Sequence, residues 1–431
     1  MTAPPAVDVT SETLPGKSPL FGSRAARVIF YALAGLLILA IVEEITGTEE
    51  LTRRGTASAA LRLAIPIMLA GLGGLFSERA GIVNIGLEGM MIMGTWFGAW
   101  GAFIFGPWEG VLIGIIGGAL GGLLHGVATV TFNVDHIVSG VAINILALGG
   151  MRFLAAIAYD DVPGGSAVQS PRVEGVGSFN LPFLAGGSIF GWESPDFLGW
   201  LEDQSWFMLS DLGGVLRGLT GDVSWLSLIG LALVPLSIWA LWRTAWGLRL
   251  RSCGENPWAA ESLGVPVYRM KYYAVVISGA LAGLGGAFLP LVQSGLYREG
   301  QSGGRGFIGL AALIFGNWRP SGVLAGSALF GFGDSLRFRG ADAVRALFLA
   351  LALALVAFAV RSLLRNRRRS ALIQAGTGVF ALLLYLYVVD VPTQLIGVTP
   401  YLVTLITLAI ATQRLRMPAA DGARYRKGEA V

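Results

Sequence analysis

Stretches of uncharged, apolar residues long enough to cross a hydrocarbon layer recur along this chain, with short polar gaps between most of them. A helical crossing takes roughly 20 residues. Inside the layer every backbone N–H and C=O must be satisfied within the fold, so such runs become helices of a bundle. Read as spans, they cover residues 28–42, 59–76, 85–105, 111–132, 137–159, 225–246, 272–292, 307–315, 323–332, 343–360, 371–389 and 401–411. Only 13% of the 431 residues are charged, against about a quarter in soluble domains, so the surrounding solvent is read as lipid. The expected fold is all-α, a polytopic membrane bundle. The first run follows a polar tail, residues 1–27, and ends at Glu43 and Glu44 without a small-residue cleavage site, which reads as a retained anchor.

Sidedness follows from the cations, because Lys and Arg near span ends are retained in the cytoplasm. Residues 160–224 carry nine Asp and Glu against Arg172 and Arg217, so this loop is expected outside. Arg243, Arg249, Arg251, Arg269 and Lys271 around the connection 247–271, five Arg within 361–369, and the basic tail 413–431 are expected inside. Alternating spans from a cytoplasmic N-terminus reproduce these assignments and leave the C-terminus inside, with Arg53 and Arg54 as the exception.

Leu69-Ala-Gly-Leu-Gly-Gly-Leu-Phe76 recurs as Leu281-Ala-Gly-Leu-Gly-Gly-Ala-Phe288, and Ile85-Gly-Leu recurs as Ile308-Gly-Leu. Under the alternating topology the copies run in opposite directions, as in inverted repeats, with the solute path between the halves. Chance matching among Gly-, Ala- and Leu-rich helices is the other reading. Gly110, Gly114, Gly118, Gly122 and Gly126 place a small-residue stripe on one helix face, where another helix packs closely.

Several chemistries are excluded. The lone Cys253 permits no intrachain disulfide, and His125 and His136 alone supply no zinc spacing. No nucleophile–base pair stands out. Gly16-Lys-Ser resembles the end of a phosphate-binding loop, but Ser11 stands where its first glycine is required. The net charge of +4 is explained by loop asymmetry, and nucleic acid is not implied. Asp135-His136 reads as an ordinary helix cap, and Trp192, Trp200, Trp206 and Trp225 as an interfacial belt.

Within the connection 247–271, Asn256 as N-cap, Pro257 in the first turn and Gly264 as the stop define a helix too short to span. Ala259 and Ala260 give it a small-residue face for a cleft on another protein, with Glu255 and Glu261 staying polar. This stretch resembles the coupling helix of ABC transporter permeases. Together with Phe76-Ser-Glu-Arg-Ala-Gly-Ile-Val-Asn-Ile-Gly-Leu-Glu-Gly-Met-Met91 and Gly304-Arg-Gly-Phe-Ile-Gly-Leu-Ala-Ala-Leu-Ile-Phe-Gly-Asn-Trp-Arg-Pro320, it is similar to the branched-chain amino acid and ribose type, nucleoside and simple-sugar branch.

The resemblance covers residues 59–338 and resumes near 391. It implies a permease core over 28–338, an inserted transmembrane hairpin at 339–390, a last core span at 391–412 and a cytoplasmic tail, with about ten core spans in two inverted repeats. It also implies a bacterial inner-membrane importer subunit for nucleosides, purine nucleosides favoured, or related sugars. Its partners would be an ABC ATPase, a second permease subunit and an external substrate-binding lipoprotein. The chain itself would bind no cofactor, ATP and Mg being held by the ATPase. A branched-chain amino acid permease and an ion-coupled carrier are the alternatives.

Polar side chains within spans cost free energy unless they face the bundle or a wet path. Asn84 and Glu88, four apart and beside Gly86 and Gly89, are read on one helix face. They would either contact solute or clamp the Ser77-Glu-Arg-Ala turn. Asn144 serves an interhelical bond or the pathway. Gln293 and the segment 298–305 are read near the external mouth, and Phe307, which opens a short half-helix, is a further pathway candidate.

Overall fold

A computed structural model describes residues 24–189, 191–204, 206–388 and 415–428. The helices are α1 (Arg24–Thr46), α2 (Arg54–Arg79), α3 (Leu87–Phe105), α4 (Pro107–Gly126), α5 (His136–Tyr159), α6 (Phe197–Glu202), α7 (Leu209–Thr220) and α8 (Trp225–Arg243). They continue with α9 (Ala245–Glu255), α10 (Pro257–Ser262), α11 (Val267–Phe288), α12 (Arg305–Phe315), α13 (Pro320–Ser335), α14 (Ala341–Leu364) and α15 (Arg368–Tyr387). Strands among the described residues are limited to two short antiparallel ladders, β1 (Ser178–Phe179) with β4 (Val223–Ser224) and β2 (Ser188–Ile189) with β3 (Trp192–Glu193). α4 continues into a wider π turn at Val127–Thr131, and α11 into another at Leu289–Ser294. In α11 the cause is Pro290, which lacks an N–H and crowds the carbonyl one turn back.

The structure is a polytopic helical bundle, and its helices are unequal. Seven described helices are long and apolar enough to cross a membrane: Arg54–Arg79, Pro107–Thr131, His136–Tyr159, Trp225–Arg243, Val267–Ser294, Asp342–Leu364 and Arg368–Tyr387. The run 401–411 lies outside the described residues. The runs 307–315 and 323–332 form α12 and α13, of 11 and 16 residues, or about 16 and 24 Å at 1.5 Å per residue. Gly303 and Gly304, both at positive φ, precede the first, and Pro320 opens the second.

At the centre, α2 and α11 cross through the two copies of the repeated octapeptide. A Cβ on Gly73 would lie 2.5 Å from the Ser278 carbonyl oxygen, and one on Gly285 would lie 3.0 Å from that of Pro66. Gly285 is the counterpart of Gly73 and Ser278 that of Pro66 under one sequence offset, so the contact is reciprocal and the two helices are antiparallel. α2 packs on α12 and α13, and α11 packs on α3 and α4. Directions match too. α3 runs alongside α11 in parallel, Gly94 on Gly283 and Gly98 on Ala287, as α12 runs alongside α2, Gly309 on Ala70 and Leu313 on Gly74. The first helix of each half is thus embedded in the other half.

The glycine stripe of α4 lies against α11: Gly114 and Gly118 meet Gly283, and Gly122 meets Gly279 and Val275. A Cβ on Gly283 would come within 2.5 Å of the Gly114 carbonyl oxygen, so close backbone packing holds this pair. Outside the core, Val42 of α1, Leu336 and the α14 residues Ala343, Ala346 and Leu349 share a small apolar cluster, and α15 lies along α14. The segment 160–224 is folded: Arg217 of α7 reaches Asp196 (2.6 Å) and Glu202 (2.8 Å), closing α6 onto α7. Trp192, Trp200, Trp206 and Trp225 are all exposed there.

Candidate functional site

Two places gather the polar residues singled out in the sequence: a junction inside the bundle and a capped loop at one end. The junction begins where the chain leaves α2. Residues 80–86 are not helical, and α3 starts only at Leu87. The Asn84 side chain accepts the Gly86 N–H (3.0 Å) and donates to the Ser278 hydroxyl on α11 (2.9 Å). Asn144 on α5 accepts the Gly89 N–H (2.7 Å) and donates to the Ile85 carbonyl (3.1 Å). Both side chains therefore satisfy backbone groups that the start of α3 would leave open in an apolar interior.

Glu88 does the same for a second helix. One carboxylate oxygen accepts the Gly304 N–H (2.9 Å) and the other the Gly306 N–H (2.7 Å), at the start of α12. The helix dipole and the charge favour the pairing. Gly306 is required there, because a Cβ would lie 2.6 Å from the Glu88 backbone. Since Gly309 packs on Ala70 and Gly71, well within α2, α12 starts inside the bundle, and so does α3, to which Glu88 belongs. This corrects two expectations. Asn84 precedes the helix, so it does not share a helix face with Glu88, and the partners of both lie on α3, on α11, at the start of α12 or in the connection itself, not on the Ser77–Ala80 turn. The sequence offered no signal for the contact between Glu88 and Gly304, because neither residue type implies the other at such separation.

The remaining candidates lie along α11 and α12. Gln293 donates to the Arg62 carbonyl (2.7 Å) and ties the π turn of α11 to α2. Phe307, in the first turn of α12, is 45% exposed. A cavity of about 170 Å³ beside that turn is lined by Ile67, Gly303, Arg305, Ile308, Phe330, Asp334 and Arg337. Asp334 pairs there with Arg305 (3.5 Å) and Arg337 (2.8 Å).

The capped loop is α10. The Asn256 side chain accepts the Ala259 N–H (3.0 Å), Pro257 takes the first helical position, and Gly264 at φ +80° ends the helix. Pro257 and Ala260, three apart, face inward, and Ala260 packs with Cys253, Val267, Met270 and Tyr425. The expected small-residue face is therefore half lost: Ala260 is buried in its own chain, and only Ala259 of the pair is exposed. Leu263, four residues after Ala259 and on the same face, is 84% exposed. That spacing was readable in the sequence once the inward pair is known. Glu255 and Asn256 are exposed and Glu261 half-buried.

The described tail, 415–428, packs under this loop. The Ala420 N–H bonds the Gly254 carbonyl (2.8 Å), and the Tyr425 ring lies 5.9 Å from that of Trp258 and 5.5 Å from that of Tyr268. Burial pushes the Cys253 thiol up to about 11, which makes it a packing residue without thiolate chemistry. Burial and the neighbouring Glu78 carboxyl push Asp421 up to about 9.

Helices that start within a membrane bundle, with a short capped helix presented at one end, are features of membrane transporters. The chain belongs to the family described as branched-chain amino acid transport system / permease component, whose model matches residues 56–360 and takes in most of α14. It is 33% identical over 383 residues to the guanosine ABC transporter permease protein NupQ of Bacillus subtilis, covering 86% of this chain and 96% of that one. It is 32% identical over 371 residues to the nucleoside ABC transporter permease protein NupC of Lactococcus lactis, covering 84% and 94%. The putative glucose ABC transporter permease protein TsgC13 of Haloferax volcanii is 31% identical over 286 residues, covering 66% and 77%. No solved structure matches the chain. The chain is thus a multi-pass ABC transporter permease, not an enzyme.

Proposed function

We propose that this chain is the transmembrane permease of an ATP-driven importer that takes up nucleosides, purine nucleosides above all, or related simple sugars. The observation that carries this reading is near full-length similarity to two nucleoside permeases at 32–33% identity. The family description names branched-chain amino acids, which keeps that solute class as the alternative. In this reading the path runs past the junction of α3 and α12, where Asn84, Glu88, Asn144 and Phe307 line its start, and on towards Gln293 further along α11.

The reciprocal contacts of Gly73 and Gly285 support an inverted repeat of about ten core spans, with 339–390 added at its edge beside α1. The face with α10 and the basic tail is cytoplasmic by its cations, which puts both termini inside a bacterial inner membrane. There Glu255, Asn256, Pro257, Ala259, Ala260, Glu261 and Gly264 form or support the surface that meets an ABC ATPase, which holds ATP and Mg. A second permease completes the pore, and an external lipoprotein delivers the solute.

Competition decides the solute class. Uptake of tritiated guanosine by cells expressing the whole transporter is expected to be suppressed by excess adenosine or inosine and untouched by leucine. Suppression by leucine, or no guanosine uptake, would refute the nucleoside assignment.

A further inference from the structure

Arg79, the last residue of α2, holds three parts of the chain together. Its guanidinium donates twice to the Trp318 carbonyl, Nε at 3.2 Å and Nη2 at 2.7 Å, and its Nη1 lies 3.8 Å from Glu255. The same group lies over the Trp242 ring at 5.6 Å. Trp318 belongs to the turn between α12 and α13, where Asn317 and Trp318 both adopt left-handed backbone (φ +53° and +52°). Bulky L-residues avoid that conformation, and the Trp318 carbonyl is the one Arg79 takes. The Trp318 indole N–H in turn donates to Glu78 (2.5 Å). Gly254 packs on the Arg79 carbonyl with no room for a side chain. One end of α2, the loop bearing α10 and the α12–α13 turn are thus one knot.

Two routes lead from that knot to the junction inside the bundle. From Arg79, residues 80–86 run directly to α3 and Glu88. From Trp318, α12 runs back to Gly304 and Gly306. The routes meet where Glu88 accepts those two N–H groups, so the connections form a closed circuit. Residues within it cannot move singly without breaking a charge-assisted bond in a low-dielectric interior.

We propose that Arg79 is the positioning residue that transmits movement of the α10 loop to the junction of α3 and α12, through its bonds to the Trp318 carbonyl and Glu255. It acts through these partners and touches no solute. The proposal rests on the importer reading, in which an ATPase moves α10. It accounts for the burial of a cation, 12% exposed in its side chain, at a helix end where a solvated arginine would serve the helix dipole equally well.

The test compares the wild-type chain with Arg79→Ala and Arg79→Lys, each assembled with its ATPase, second permease and binding lipoprotein in proteoliposomes. Tritiated guanosine taken up per ATP hydrolysed is expected to fall about ten-fold in Arg79→Ala, with assembly and basal hydrolysis retained. Arg79→Lys, which keeps a donor for the Trp318 carbonyl, recovers part of the ratio. A wild-type ratio in Arg79→Ala overturns the proposal. Hydrogen exchange of the full chain in detergent needs neither ATPase nor solute. There the relay requires faster exchange at the Gly304 and Gly306 amides in Arg79→Ala, or to a lesser degree in Arg79→Lys where the alanine variant does not accumulate. Acceleration confined to 253–256 and 317–319 contradicts it. If the wild-type complex takes up nothing with ATP, the importer reading fails, and the exchange result still decides the relay.

Discussion

The Glu88 carboxylate accepts the backbone N–H groups of both Gly304 (2.9 Å) and Gly306 (2.7 Å), across 216 and 218 residues of sequence. A side chain from the first half thereby completes the start of a helix in the second. Glu88 is 6% exposed, so water does not replace it if it is removed. Glu88→Ala leaves two buried donors without an acceptor and is expected to cost about 3 kcal/mol, while Glu88→Gln keeps one acceptor and costs about half of that. Thermal unfolding in one detergent should rank wild type above Gln above Ala, and equal midpoints would contradict the assignment.

Close packing of α4 on α11 makes a second prediction. A Cβ at Gly283 meets the Gly114 carbonyl oxygen at 2.5 Å and the Gly118 Cα at 2.8 Å, both rigid backbone. Gly149 on α5 has nothing within 4 Å. Gly283→Val should therefore abolish monodisperse protein or destabilise it by about 3 kcal/mol, whereas Gly149→Ala leaves the midpoint unchanged or raises it. Size-exclusion chromatography and melting of the two variants check this directly.

The two faces of α10 separate folding from docking. Leu263→Asp alters an exposed residue and should release the ATPase in co-purification without shifting the unfolding midpoint. Ala260→Leu overfills the space shared with Cys253, Met270 and Tyr425 and should destabilise the chain by about 1–3 kcal/mol, lowering the midpoint. The reverse pattern would mean that the outward and inward faces are misassigned.

Docking of the tail should depend on pH through Asp421. Burial, then the Glu78 carboxyl, raises it to about 9, with Lys271 opposing, whereas an undocked Asp titrates near about 4. The docked state therefore holds the proton, so docking is strongest below about pH 4 and weakens as pH rises towards about 9. A spin label at Lys427→Cys in a Cys253→Ser background should become more mobile between about pH 6 and about pH 9, and Asp421→Asn should flatten that response.

Much of this fold was legible because lipid imposes simple rules. The apolar runs gave the long helices, the repeated octapeptide pointed to α2 and α11 as counterparts of opposite direction, and Asn256, Pro257 and Gly264 marked α10. The sequence reading placed Ile85 and Gly86 within a helix because both suit an apolar run, but Asn84 and Asn144 hold the backbone there open. Burial of Ala260 was invisible because Tyr425, which covers it, arrives from a tail that reads as solvated and basic. Nothing in the sequence marks Arg79 for a related reason: a cation at a helix end is ordinary until its partner, the Trp318 carbonyl, is seen.

The most direct measurement is uptake of tritiated guanosine into proteoliposomes holding this permease, its partner permease, the ATPase and the binding lipoprotein, with ATP supplied on the α10 side. ATP-dependent accumulation that survives collapse of proton and sodium gradients is the expected result. Accumulation driven by either gradient without ATP would contradict the account.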